Sequence, residues 1–159
     1  MPIYEVLLKQ VDALRIASVR EIIPLPNDLK RLYAKIAAYL DQQQVHHIQP
    51  PMLLLHSRSE QRDDGLYIDA EAAIPVPTNL LENEQIKIRT LSSGLMASTI
   101  HTGNDLSMGQ AYAALHRWMK DNNYRIISPP RQIRLHRGEQ MKPDQYITEV
   151  QFPVEKQYI

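Results

Sequence analysis

An α+β fold made by tandem duplication is what this sequence predicts, and three observations predict it. Two stretches carry apolar side chains at helical spacing: Leu29, Leu32, Tyr33, Ile36, Tyr39 and Leu40 in the first, and Met108, Ala111, Tyr112, Leu115, Trp118 and Met119 in the second. Positions spaced i, i+3, i+4 and i+7 form one stripe on a helix, the face that packs on a sheet. The stretches around them are rich in β-branched and apolar residues at strand length. Each position of the second stripe lies 79 residues after its counterpart in the first. Other landmarks keep nearly that offset: Ala17 and Ser18 with Ala97 and Ser98, Pro50 and Pro51 with Pro129 and Pro130, "LLLHS" with "IRLHR", Tyr67 with Tyr146, and "IPV" with "FPV". The expected architecture is a single domain over residues 1–159. It consists of two strand-helix-strand-strand copies, about 1–80 and 84–159, as a pseudo-symmetric pair sharing one core.

In chain order, "IYEVLLKQV" and "LRIASVREI" read as two strands joined at Asp12 and Ala13 in a hairpin-like start. The first helix follows with a cap expected at Asn27 or Asp28, since short polar side chains satisfy the free N–H groups of a first turn. "MLLLHS" and "GLYIDAEAAIPV" are strands either side of the polar turn "RSEQRDDG", where Asp64 and Gly65 favour a tight reversal. The pattern restarts with "IKIRTLSSGLMASTIHTG" as strands around Ser93 and Gly94, and the second helix begins at about Ser107. A second polar loop, "HRGEQMKPDQ", precedes the last strand and is placed to cover a cleft.

Composition narrows the function. Eighteen basic residues balance eighteen acidic ones, so the basic footprint of a nucleic-acid-binding surface is missing and no direct contact with nucleic acid is expected. The absence of cysteine excludes thiolate metal sites and a cysteine nucleophile. His46 and His47 are adjacent, while His56 and His136 recur beside strand ends; all four read as scattered surface histidines, and no metal is expected. There is no G-x-S-x-G elbow and no glycine-rich phosphate loop, so no cofactor is expected. The N-terminus lacks a signal-peptide pattern and no apolar run is long enough to span a bilayer, which reads as a cytoplasmic protein without a membrane role.

The residue that points to chemistry is Glu149, set in the middle of the strand "YITEVQFPV". By strand alternation Tyr146, Thr148, Val150 and Phe152 share one face while Ile147, Glu149 and Gln151 share the other. Glu71 in "EAAIPV" is its counterpart. One reading leaves this face simply solvated. The other makes it line a cleft, where a partly desolvated carboxylate has a raised pKa or awaits a cation. For Glu71 the solvated reading is the expectation.

"YITEVQFPVEK" resembles the C-terminal motif of the GyrI-like small-molecule-binding family, which includes effector-binding domains of MerR-type and AraC-type regulators, gyrase-inhibitor-like proteins and some hydrolases of cyclopropane-containing toxins. The resemblance extends through "YEVLLKQVDALRIASVRE", "IKIRTLSSGLMASTIHTG", "SMGQAYAALHRWMKDNNY" and "ISPPRQIRL", covering almost the whole chain. It implies an antiparallel sheet curved around a central cleft with two main helices, and apolar or cationic ligands held by aromatic side chains and an acid. Carried over by position, it implies ligand contacts from Glu149, Tyr112, Trp118 and Tyr146, with Tyr33 as the first-copy counterpart of Tyr112. Two departures stand out: the preceding strand reads Arg131, Gln132, Ile133, Arg134 without a carboxylate, and His101-Thr102-Gly103-Asn104-Asp105 lacks the Pro-Tyr of many relatives.

The expected function is therefore small-molecule binding, of an effector or toxin, by sequestration or by reporting occupancy to a protein partner such as a DNA-binding regulator. An alternative is hydrolysis of strained rings with Glu149 as acid-base residue. A further one is a gyrase-inhibitor-like role in which gyrase is the partner.

Overall fold

The structure, a computed structural model, describes residues 3–25, 28–46, 49–137 and 141–158. It contains ten strands, β1 (Leu7–Val11), β2 (Leu14–Pro24), β3 (Met52–Leu55), β4 (Glu60–Arg62), β5 (Gly65–Pro75), β6 (Lys87–Leu91), β7 (Gly94–Thr102), β8 (Tyr124–Ile126), β9 (Arg131–His136) and β10 (Ile147–Lys156), and two helices, α1 (Leu29–Gln42) and α2 (Gly109–Asn122). The chain divides into two compact units, a middle one of Ala13–Ser92 and a terminal one of Met1–Asp12 with Ser93–Ile159. Both are α+β.

In the middle unit the strand order is β3-β5-β2-β6, all neighbours antiparallel, with β4 folded back on β5. The reversal falls where the acidic turn suggested, with Arg62 opposite Gly65, whose φ of 141° favours glycine. Helix α1 lies on β2 and β5 and buries Leu32, Ile36, Tyr39 and Leu40, four of its six stripe positions. They meet Ala17, Val19, Ile23, Ala70, Ala72 and Ile74. Asn27 falls outside the described residues. Asp28 stands at the N-cap but its side chain caps nothing; its carboxylate accepts instead from Arg31 at 2.8 Å.

In the terminal unit the order is β1-β7-β10-β9, again antiparallel, with β8 pairing β10 beyond the end of β9. Helix α2 packs on β7, β8 and β10, burying Ala111, Leu115 and Met119 against Ala97, Val150, Phe152 and Val154. It ends at Asn123 in the left-handed conformation, φ 60°, a conformation that asparagine tolerates and helix ends commonly use. The described residues form a hydrophobic cluster in each unit.

The hairpin-like start does not form: β1 pairs with β7, Leu7 opposite Ser98, and β2 pairs with β5 and β6. A two-residue hairpin turn needs positive φ, which glycine or asparagine supplies and Asp12-Ala13 does not readily adopt. No hairpin forms around Ser93 and Gly94 either: β6 pairs with β2, and β7 with β1 and β10. The chain therefore passes between units twice, with β1 in the terminal unit and β6 in the middle one.

Candidate functional site

Strand β10 places Glu149 opposite Ile100 of β7 and Ile133 of β9. Two residues on, Gln151 pairs with Ser98 and turns its amide back along the same face, so that Gln151 Nε2 donates to Glu149 Oε2 at 2.9 Å. Ser98 Oγ donates to the same oxygen at 2.7 Å, and the Lys9 ammonium, carried by the edge strand β1, reaches it at 2.5 Å. The glutamate side chain is 12% exposed.

These donors overturn the expectation of a raised pKa. Burial pushes the Glu149 carboxyl up, but the hydrogen bonds from Gln151, Lys9 and Ser98, together with the charge of Lys9, outweigh it and hold the group below the usual carboxylate range. The cation that the buried acid called for comes from the chain itself. Beside it lies a cavity of about 290 Å³ lined by Ile3, Glu5, Leu7, Lys9, Ser98, Thr99, Ile100 and Glu149. An ion pair at the edge of a hollow with both apolar and polar walls is an arrangement that can orient a small ligand.

The middle unit builds the counterpart around Glu71, which is 4% exposed rather than solvated. Arg89 binds it through both oxygens, Nε to Oε2 at 2.9 Å and Nη2 to Oε1 at 2.6 Å, and His56 Nε2 lies 2.8 Å from Oε1. Burial pushes this carboxyl up, yet Arg89, Ser18 and His56 bring it down to about 2. His56 is thus a structural partner and not a surface histidine; its side chain is 12% exposed. His46 and His136 are exposed and His47 falls outside the described residues, among which no group of metal-binding side chains occurs.

The aromatic candidates do not gather around Glu149. Tyr112 leans on Phe152, ring centroids 5.5 Å apart, and its hydroxyl accepts from Gln132 at 2.8 Å. Phe152 and Glu149 are an odd number of residues apart on β10, so Tyr112 packs on the opposite face of the sheet. Burial pushes the Tyr112 phenol up to about 12, with the Gln132 hydrogen bond pulling the other way. Trp118 stacks on Tyr124 at 5.2 Å and borders a different hollow of about 640 Å³ between α2 and the segment carrying Ile3, Tyr4 and Val6. That hollow is larger, and its polar lining residues Gln110, Arg117 and Asp121 are exposed on α2. Tyr146 carries the Arg137 guanidinium over its ring at 4.8 Å. A bulge between Ile147 and Thr148 breaks the alternation that would have fixed its face. Tyr33 belongs to the middle unit, where its hydroxyl donates to the Met52 carbonyl at 2.5 Å. Of the loop "HRGEQMKPDQ", residues 138–140 are outside the described set, and Pro143–Gln145 form a short 3-10 turn.

The residues that reasoning from sequence missed are Lys9, Ser98 and Gln151. The repeat held a signal for two of them: Lys9 and Ser98 precede Arg89 and follow Ser18 by 80 residues, and each glutamate has one such serine and one such cation.

Residues 4–155 match the family model of the GyrI-like small molecule binding domain. The chain belongs to this family. Solved structures agree on the fold of this GyrI-like chain. The C-terminal domain of EcmrR is similar over 98% of this chain and 99% of its own, with TM-score 0.79 and 24% identity. EcmrR in complex with DNA matches with TM-score 0.85 and 24% identity over 96% of this chain, which spans only 58% of the EcmrR chain there. A hydrolase encoded by lin2189 from Listeria innocua matches with TM-score 0.71 and 12% identity, covering 95% of this chain and 92% of its own. A comparison with curated proteins finds no significant match. No described helix of the GyrI-like chain is long and apolar enough to cross a membrane.

Proposed function

We propose that this GyrI-like chain binds an apolar or cationic small molecule, an effector or a toxin, at the cavity beside Glu149, and acts in the cytoplasm by sequestering it or by reporting its presence to a protein partner. The observation that carries this reading is a largely buried, ionised carboxylate bordering a hollow whose other walls include Ile3, Leu7 and Ile100. Apolar walls supply most of the binding energy of a small ligand, and a few fixed polar groups set its orientation. A partner that contacts DNA is consistent with the similarity to EcmrR, whose chain is longer than this one. Two copies descended from one duplicated unit would account for the matched serine, glutamate and cation in each. A carboxyl held below its usual range is a poor proton donor near neutral pH, which disfavours an acid role for Glu149 in hydrolysis.

A thermal-shift screen of neutral apolar compounds and lipophilic cations tests this. A ligand of the native state raises stability by about 2.7 kcal/mol at one hundred times its Kd. Hits are expected whose shift shrinks in Glu149→Gln, without any product formed. Hits that are indifferent to Glu149→Gln would place the ligand elsewhere.

A further inference from the structure

The two glutamate sites share a plan and differ in one respect. Glu71 has both oxygens engaged, Oε1 by Arg89 and His56, and Oε2 by Arg89. At Glu149 the donations from Ser98, Gln151 and Lys9 all fall on Oε2. Among the described residues no hydrogen-bond donor meets Oε1. The carboxylate that faces the cavity is therefore already neutralised on one oxygen and open on the other. Lys9, 42% exposed and itself a cavity wall, has three N–H donors and spends one on Glu149.

We infer that Lys9 is the specificity-determining residue of this site, and that the cavity takes a neutral ligand of the amide class in preference to an organic cation. The inference rests on the reading of the Glu149 cavity as the ligand site. An amide places its N–H donor and its carbonyl acceptor side by side, matching Glu149 Oε1 and a free N–H of Lys9, while its apolar substituent lies against Ile3, Leu7 and Ile100. An organic cation finds the acid already paired and an ammonium in the wall. It must displace Lys9 from a hydrogen-bonded ion pair or bind beside a like charge, which lowers its affinity. An anion gains Lys9 but faces Glu149 Oε1. Glu5, the second carboxylate of the wall, is exposed and screened by solvent, so the Glu149 and Lys9 pair sets the polarity that a ligand meets.

Two probes of similar size separate these cases: phenylacetamide and benzyltrimethylammonium, each titrated into the full chain and followed by protein-observed NMR. The wild type is expected to bind the amide about tenfold or more tightly than the cation, with the largest shifts at Leu7, Ile100 and Glu149. Lys9→Met is expected to reverse that order, and Lys9→Arg, which keeps the charge, to retain it. Because Lys9 sits on an exposed edge strand, an unchanged melting temperature in Lys9→Arg shows that the strand is still in place. A wild type that prefers the cation, or a ratio that Lys9→Met leaves unmoved, overturns the role of Lys9. If that binding still depends on Glu149, the ligand-site reading stands. If neither probe perturbs the cavity and no screened compound responds to Glu149→Gln, both fail.

Discussion

Arg89 grips Glu71 through two parallel hydrogen bonds, whereas Lys9 meets Glu149 through a single ammonium, and the two residue types explain the difference in closure. A planar guanidinium covers both oxygens of a carboxylate; an ammonium is a point charge that covers one. Glu71 should accordingly matter for stability. Its folded pKa is about 2 against an ordinary 4.5, so its contribution is complete above pH 4.5 and is lost as the pH falls towards 2. Glu71→Gln is expected to cost about 2–3 kcal/mol in denaturant unfolding, below the range for fully buried pairs because Arg89 is 41% exposed. An acid titration followed by circular dichroism should be flatter between pH 4.5 and 2 in this variant than in the wild type, and equal slopes would remove the assignment. Tyr112 offers a complementary test. Tyr112→Phe deprives the buried Gln132 amide of its acceptor, for a loss of about 1–3 kcal/mol, and ligand affinity at the Glu149 cavity should not change. A parallel loss of affinity would bring Tyr112 back into the site.

At the scale of elements, the helices were the most legible part of the sequence, because a stripe of six apolar positions repeated at a fixed offset leaves little else to build. Helix α2 begins at Gly109, close to the expected Ser107, and the stripe residues Ala111, Leu115 and Met119 are those it buries. Strand alternation likewise separated Glu149 and Gln151 from Val150 and Phe152. Pairing was not legible. Which strand β1 meets is decided by hydrogen-bond register across more than eighty residues, and a local pattern of leucines and a lysine carries no record of it. With β1 misplaced, Lys9 could not be seen beside Glu149, and a raised pKa followed from burial alone. The short strand β8, three residues long, also escaped notice, since "YRI" gives no alternation to read. The packing of α2 on β10 yields a direct test. Phe152→Ala removes a fully buried ring from beneath Tyr112 and His116, and a loss of about 3–5 kcal/mol is expected in chemical denaturation. A loss under 1 kcal/mol would mean that this cluster does not hold the terminal unit together.

For the whole molecule, the units and the sequence repeat divide the chain at different places, and fragments can tell the two divisions apart. Residues 13–92 hold the complete order β3-β5-β2-β6 with α1, whereas residues 1–80 lack β6 and carry β1 without β7. The 13–92 fragment is expected to keep more strand signal and sharper unfolding than the 1–80 fragment, measured by circular dichroism. Fragment 93–159 should gain structure when a peptide of residues 1–12 is added. The pairing of β1 with the distant β7 also has a meaning during synthesis. Strand β1 emerges from the ribosome roughly eighty residues before the start of β7, a wait of several seconds at roughly 5–20 residues per second. Through that interval Leu7 and Leu8 are an unpaired apolar edge of the kind that recruits other chains, and a lysine within such a segment is a common safeguard against it. Lys9 would then serve the nascent chain as an aggregation gatekeeper before it ever meets Glu149.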